Sequence, residues 1–414
     1  MRASSVASIA AIVAAGCGGG AGTVRFPDST RACGFAVHGL DVAGARCIEA
    51  TNARVVAIRP DPSGDFVLAG VFGAKIAIDG VHTLTPVGTI LQPFVARIAP
   101  DGTTRFARAV DAPGLLRGAA VTARGIAIVT SSLDLPEGPF LTRLDASGNV
   151  IARQNLGFGG LVTGFAEDRS RGVLAMRVQQ DGVRVVVADE DGRVLGASQV
   201  APPWVAQFPA SVTADALLSD MALTDGVYTL VARGPSEDGA VSDQALVKVS
   251  GSGAVLWSRA VPVGANAQIV AAPAGGLFVL TPDATALCPG PIGGAFAVTA
   301  LDGESNVTWI RCLSARAAEL RIATDSSGRV VLSGQTTGHG DLGAGPFDID
   351  GHHVASFVAL LGDRGETRRV AMLDGADVVA GQSLAVGEGG TILVAGALAT
   401  DRVETHVFIG ALRE

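Results

Sequence analysis

Two short hydrophobic phrases alternate along the chain. In the first, apolar and polar residues alternate on both sides of a turn carrying Asp or Gly. It begins as "PFVARIAPDGTTRFARAV" at Pro93, "PFLTRLDASGNVIARQNL" at Pro139, "ALVKVSGSGAVLWSRAV" at Ala245, "AFAVTALDGESNVTWIRCL" at Ala295 and "SFVALLGDRGETRRVAML" at Ser356. A weaker copy, "VRVVVADEDGRVLGASQV", starts at Val183. A period of two around a Gly-bearing turn predicts a β-hairpin. The second phrase precedes the first: "VVAIRPDPSGDFVLAG" from Val55, "LRIATDSSGRVVLSG" from Leu320 and "SLAVGEGGTILVAG" from Ser383. Related versions near Gly118, Gly164, Asp220 and Gln268 bring the copies to seven. Each reads as strand, turn, strand.

Seven four-strand units, spaced at roughly 40–55 residues, predict an all-β fold, a seven-bladed β-propeller of four-stranded blades. One blade cannot bury both faces of its sheet, whereas a closed ring lets each blade pack on its neighbours. The recurring Phe94, Phe140, Phe296 and Phe357 then belong between blades. The last unit has two strands in 383–398 and a third, "HVFIGALRE", but no fourth. "GARCIEATN" at 44–52 matches the fourth-strand phrase, so an N-terminal strand is expected to complete the last blade and remove open edges. "GFAVHGLDVAG" before it resembles a third strand and predicts irregularity in that same blade.

Composition sharpens this picture. Gly reaches 55 residues while aromatics are only 5 %, which suits many short strands and tight turns. A net charge of −8 argues against a nucleic-acid surface. The run "VASIAAIVAAG" at 6–16 is too short to span a bilayer but fits a signal-peptide core. Small residues just before Cys17 resemble a bacterial lipobox, although Ala14 stands where Leu is usual. The expected layout is a lipoprotein signal peptide at 1–16, a lipidated Cys17 opening a flexible tether at 17–32, and the propeller at 33–414. Four further cysteines occupy matching places in two repeats. Cys47 and Cys312 lie in fourth-strand phrases, and Cys33 and Cys288 stand just before third strands. The parallel predicts Cys33–Cys47 and Cys288–Cys312 disulfides in an oxidising compartment.

"DLGAGPF" at 341–347 followed by "SFVALLGDRG" at 356–365 resembles the SBBP-type β-propeller repeat of bacterial exported lipoproteins. A weaker second copy covers 70–102. The resemblance implies an exported, often lipid-anchored propeller and carries no established reaction. Units three and four lack its Gly-rich hairpin.

No GxSxG elbow, HExxH or P-loop occurs. The turns at Asp61, Asp145, Asp189 and Asp325 read as hairpin turns, not calcium loops or sialidase elements. The only tyrosine, Tyr228, lies mid-strand. The remaining chemistry sits in "GHGDLGAGPFDIDGHH" at 338–353. His339, Asp341, Asp350, His352 and His353, with His82 of the equivalent insertion in unit one, which also contains Asp79, form a candidate ligand or metal site. These two insertions would wall a groove over unit seven, though no standard ligand spacing is present. No cofactor is indicated. The expected function is a non-catalytic, lipid-anchored envelope module, in the outer membrane or at the cell surface, that binds protein or glycan. The alternatives are an envelope hydrolase or lyase with a funnel site, and a purely structural surface protein.

Overall fold

The computed structural model describes residues 35–38, 40–50, 52–87, 91–99, 103–132, 138–180, 182–201, 221–223, 226–232, 244–261, 267–282, 284, 287–288, 295–349, 354–375, 379–400 and 404–413. Its strands pair antiparallel, in four-strand meanders that follow the chain; two of these share a nine-stranded sheet and another belongs to a six-stranded one. Unit one comprises Ala53–Pro60, Phe66–Phe72, Gln92–Ile98 and Thr104–Ala109. Unit two comprises Leu115–Thr122, Gly125–Ser131, Phe140–Leu144 and Val150–Asn155. Unit three comprises Leu161–Asp168, Val173–Gln179, Val183–Asp189 and Val194–Ala201. Unit four comprises Met221–Leu223, Val227–Ala232, Gln244–Val249 and Val255–Val261. Unit five comprises Gln268–Ala271, Leu277–Thr281, Ala295–Leu301 and the first part of the long strand Val307–Thr324. The rest of that strand opens unit six, which continues through Val330–Asp341, Ala355–Leu361 and Thr367–Gly375. Unit seven takes Val379–Val386, Ile392–Thr400, Glu404–Arg413 and the N-terminal strand Asp41–Ala50.

The N-terminal strand lies antiparallel on Glu404–Arg413, with Cys47 opposite Phe408. Phe35–His38, expected as an irregular part of the same unit, instead pairs with Thr367–Gly375 at the outer edge of unit six. The third-strand place of unit seven is already filled by Glu404–Arg413, so the extra strand satisfies its backbone on a free edge.

The apolar alternation now has a clear cause. Most buried clusters lie between consecutive units. One joins units one and two through Val67, Val95, Ala119 and Ile128. Others join units two and three, three and four, four and five, five and six, and six and seven. A further cluster packs Ile48, Leu393 and Ile409 of unit seven on Ile58, Leu68 and Phe94 of unit one. The first strands touch in the same sequence, and that of unit seven also meets that of unit one.

Three of the four recurring phenylalanines, Phe94, Phe296 and Phe357, occupy these seams. Phe94, Phe296 and Phe357 are fully buried, and Phe296 and Phe357 of adjacent units stack at 6.0 Å. Each such ring contributes on the order of 2–3 kcal/mol by burial. Phe94 covers Gly70 on the neighbouring strand, where an added Cβ would stand 2.5 Å from the ring.

A second regularity is a bulge in the first strands. Val56, Arg117, Thr163 and Gln382 are each skipped by the ladder to the second strand. In unit six the skipped pair is Glu319–Leu320, and Glu319 has φ 49°. Such bulges sharpen strand twist and re-aim side chains.

Candidate functional site

The first strands surround a cavity of about 430 Å³. Its wall takes Val55, Val56 and Ala57 from unit one, Arg117 and Gly118 from unit two, and Phe165 to Glu167 from unit three. Units four to seven contribute residues 221–223, 269–271, 321–324 and 383–386. The residue that resumes the ladder after the bulge is small in four units: Ala57, Gly118, Gly164 and Ser383. In unit six that place is held by Arg321.

Charge is distributed unevenly in this space. Arg54 and Arg117 sit in the first half of their strands. Arg117 is only 7 % exposed, and its Nε has no hydrogen-bond partner. Burial lowers its pKa. Arg321 is lowered by burial against the opposing field of Glu319. Arg54 is lowered to about 10, first by burial, then by Arg321, with Glu319 acting in the opposite direction and Arg117 adding to the lowering. Arg54 therefore feels two further guanidinium groups, while Glu319 acts on both Arg54 and Arg321.

The other end of the first strands carries Arg59, Pro60 and Glu167. Glu167 accepts a hydrogen bond from Val121 N–H at 3.1 Å and lies 3.7 Å from Arg59. Burial raises its carboxyl pKa, against the pull of Arg59, Arg169 and the Val121 amide. Arg169 also donates to Pro60 O at 3.4 Å. Behind the wall, Arg177 is 1 % exposed and donates from Nε to Thr163 Oγ1 and from Nη2 to Thr163 O. Burial lowers its pKa to about 9.

None of these residues was among the sequence candidates. Their signal was present but weak: a lone arginine in each of "LLRGAAV" and "ELRIAT", where the aligned residues of units one, three and seven are uncharged.

The histidine-bearing insertion takes a different course from the one expected. Asp341 caps a turn, its Oδ1 accepting the Gly343 and Gly345 N–H groups at 2.6 and 3.2 Å. His339 pairs with Asp348 at 2.9 Å on an exposed hairpin formed with Pro346–Ile349. Asp350, His352 and His353 lie outside the described residues. The hairpin leans on unit five, not over unit seven. Asp341 stands opposite Ser314, and buried Leu342 joins the cluster with Leu313 and Ala315. Burial of Leu342 gives the physical reason for this course.

In unit one, Ile76–Ala77 and Thr83–Leu84 form a small hairpin that extends Asp41–Ala50 of unit seven. There His82 pairs with Asp79 at 2.9 Å. Burial would raise the Asp79 pKa, but hydrogen bonds from Thr104, the His82 and Val81 amides and the His82 ring hold it well below the usual carboxylate range. His82 and His339 thus each face a local carboxylate on separate hairpins. Among the described residues no three His, Cys, Asp or Glu side chains gather closely enough to hold a metal ion.

Cys288 and Cys312 form a disulfide with Cα atoms 5.8 Å apart, tying the loop before the third strand to the fourth. Cys17 and Cys33 lie outside the described residues, as does the side chain of Cys47.

No family model matches the sequence. No curated protein matches it either. Among solved structures, the chain is similar to a catalytically inactive virginiamycin B lyase from Staphylococcus aureus with quinupristin. The TM-score is 0.52 at 10 % identity, covering 90 % of this chain and 99 % of that one. It is equally similar to U3-55K, with TM-score 0.52, 10 % identity, and coverage of 90 % and 100 %. Both are β-propeller-like, so the chain has an all-β fold of propeller type.

Proposed function

We propose that this chain is an exported lipoprotein, anchored through Cys17 after removal of residues 1–16, whose seven blades close into one ring. The N-terminal strand Asp41–Ala50 is the clasp, and Cys33–Cys47 repeats the Cys288–Cys312 bridge. The ring works as a non-catalytic binding module of the bacterial cell envelope for a protein or glycan. Support for closure comes from the apolar cluster between units seven and one. The observation that carries the binding reading is the central cavity, which draws its wall from all the units and presents fixed guanidinium groups. A rigid ring with such a cavity can recognise a ligand without moving its own backbone.

The anchor is tested in a bacterial host by labelled palmitate and membrane fractionation. Cys17→Ala should abolish labelling and release the protein from the membrane pellet; retention of both would sink the anchor. Binding is tested by presenting the full-length chain to arrays of envelope glycans and envelope proteins. A partner lost on Arg117→Gln supports the cavity as the site. A second reading, an envelope hydrolase or lyase, is favoured by one observation: the carboxyl of Glu167 has a raised pKa inside the cavity. Turnover of a bound glycan or peptide, abolished by Glu167→Gln, would move the function to that reading.

A further inference from the structure

We propose that the arginine-bearing side of the central cavity is a site for an oxyanion, a carboxylate or phosphate group carried by the ligand. This deepens the binding reading above and rests on it. The geometry comes from three separate strands. Arg117 is the residue left over by the bulge in unit two, and it lines the cavity. Arg321 lines the cavity from unit six, in a place that four other units give to a small residue. Arg54, next in unit one to the cavity residues Val55 and Val56, feels the charge of both. The small residues leave the room into which a ligand group can enter.

The chemistry follows from what is buried there. A guanidinium carries five N–H donors and keeps its charge in proteins. Arg117 is more than nine-tenths buried, and its Nε points at no acceptor among the described residues. A buried donor without an acceptor, on a charged group, is costly to the fold. The exposed Glu319 acts on both Arg54 and Arg321 and opposes the lowering of their pKa. At the far end Glu167 is committed to Arg59 and the Val121 amide. Arg117 therefore brings a buried positive charge to the cavity wall without an acceptor for its Nε, in a protein whose net charge is −8. An oxyanion supplies both the acceptor and the counter-charge, and planar guanidinium groups suit bidentate contact with it.

The test uses the full-length chain and two probes, inorganic phosphate and citrate, titrated calorimetrically against a chloride control at matched ionic strength. The expected result is saturable heat with phosphate, citrate or both, and none with chloride; the responding probe distinguishes a phosphate from a carboxylate ligand. Arg117→Gln should weaken binding about tenfold or more, the loss of a charge-assisted donor. Arg321→Gln, measured separately, does the same and decides the matter if Arg117→Gln does not fold. Arg105→Gln, on an exposed outer-strand arginine, should bind as the parent does. Absence of saturable heat with both probes in the folded parent, or equal weakening by all the variants, would overturn the oxyanion site. A glycan or protein partner still bound in that event leaves the binding module standing. Loss of both removes both.

Discussion

Gly70 and Asp145 show how single residues set the repeat. At Gly70 an added Cβ would meet Arg54 O at 2.3 Å as well as the ring of Phe94. Gly70→Ala should therefore destabilise the fold by about 1–3 kcal/mol, as overpacking does, read as a lower urea midpoint. Phe94→Leu in the same chain should recover only part of it, because the backbone oxygen remains. Asp145 acts through its carboxylate. Its Oδ1 accepts the N–H groups of Ser147 and Asn149 at 2.8 and 2.9 Å, closing a turn in which Gly148 takes φ 80°. Asp302 does the same for Glu304 and Asn306 at 2.9 and 2.8 Å. Hydrogen bonds hold both carboxyls below their ordinary pKa, Asn149 contributing most at Asp145 and Asn306 at Asp302. A carboxyl depressed in the folded chain adds stability above its unfolded pKa of about 3.9 and loses it as pH falls through the folded value. Asp145→Ala should lower stability at neutral pH and shrink the difference from the parent in acid. Denaturation curves at several pH values check this, and an unchanged difference would refute the turn as its origin. These roles were legible in the sequence, since Asp and Gly at fixed offsets make an Asx turn by local bonds alone.

At the scale of elements, the hairpins and the second phrases fall on strands as the period-two pattern predicts. Edges were harder to read. Unit six gains Phe35–His38 and unit seven gains the Ile76–Ala77 hairpin, so both outer strands are covered. The outer strands of units two to five instead leave Val150 and Ile151, Val194 and Leu195, Val255 and Leu256, and Val307 and Ile310 exposed. The Cys288–Cys312 bridge closes a loop with sequence separation 24. Its loss in Cys288→Ser should cost about 2–4 kcal/mol, seen as a lower denaturant midpoint that reductant reproduces in the parent. Peptide mapping without reductant should return this pair together with Cys33–Cys47. Free thiols at the latter would remove the second bridge.

At the scale of the whole molecule, the proposed closure of the ring rests on the seam between units seven and one. Ile48 is 1 % exposed and packs into the cluster shared by units seven and one. Ile48→Ala should cost about 2–5 kcal/mol. If the ring is one cooperative body, it should shift the single unfolding transition as a whole. A separate early transition confined to unit seven would argue against closure through this strand.

By itself, the sequence determined what local forces settle. Alternation, β-branched residues and Asp–Gly turns choose strand, turn and hairpin within a few residues, and repetition makes the choice legible seven times over. The Cys288–Cys312 pair was legible for the same reason. Tertiary structure alone decided what depends on distant partners. Leu342 carried its hairpin toward unit five because the apolar cover lay there. Arg54, Arg117 and Arg321 were ordinary arginines along the chain. They became one electrostatic neighbourhood only when three first strands met around a common cavity, where burial and mutual repulsion act through space rather than along the backbone.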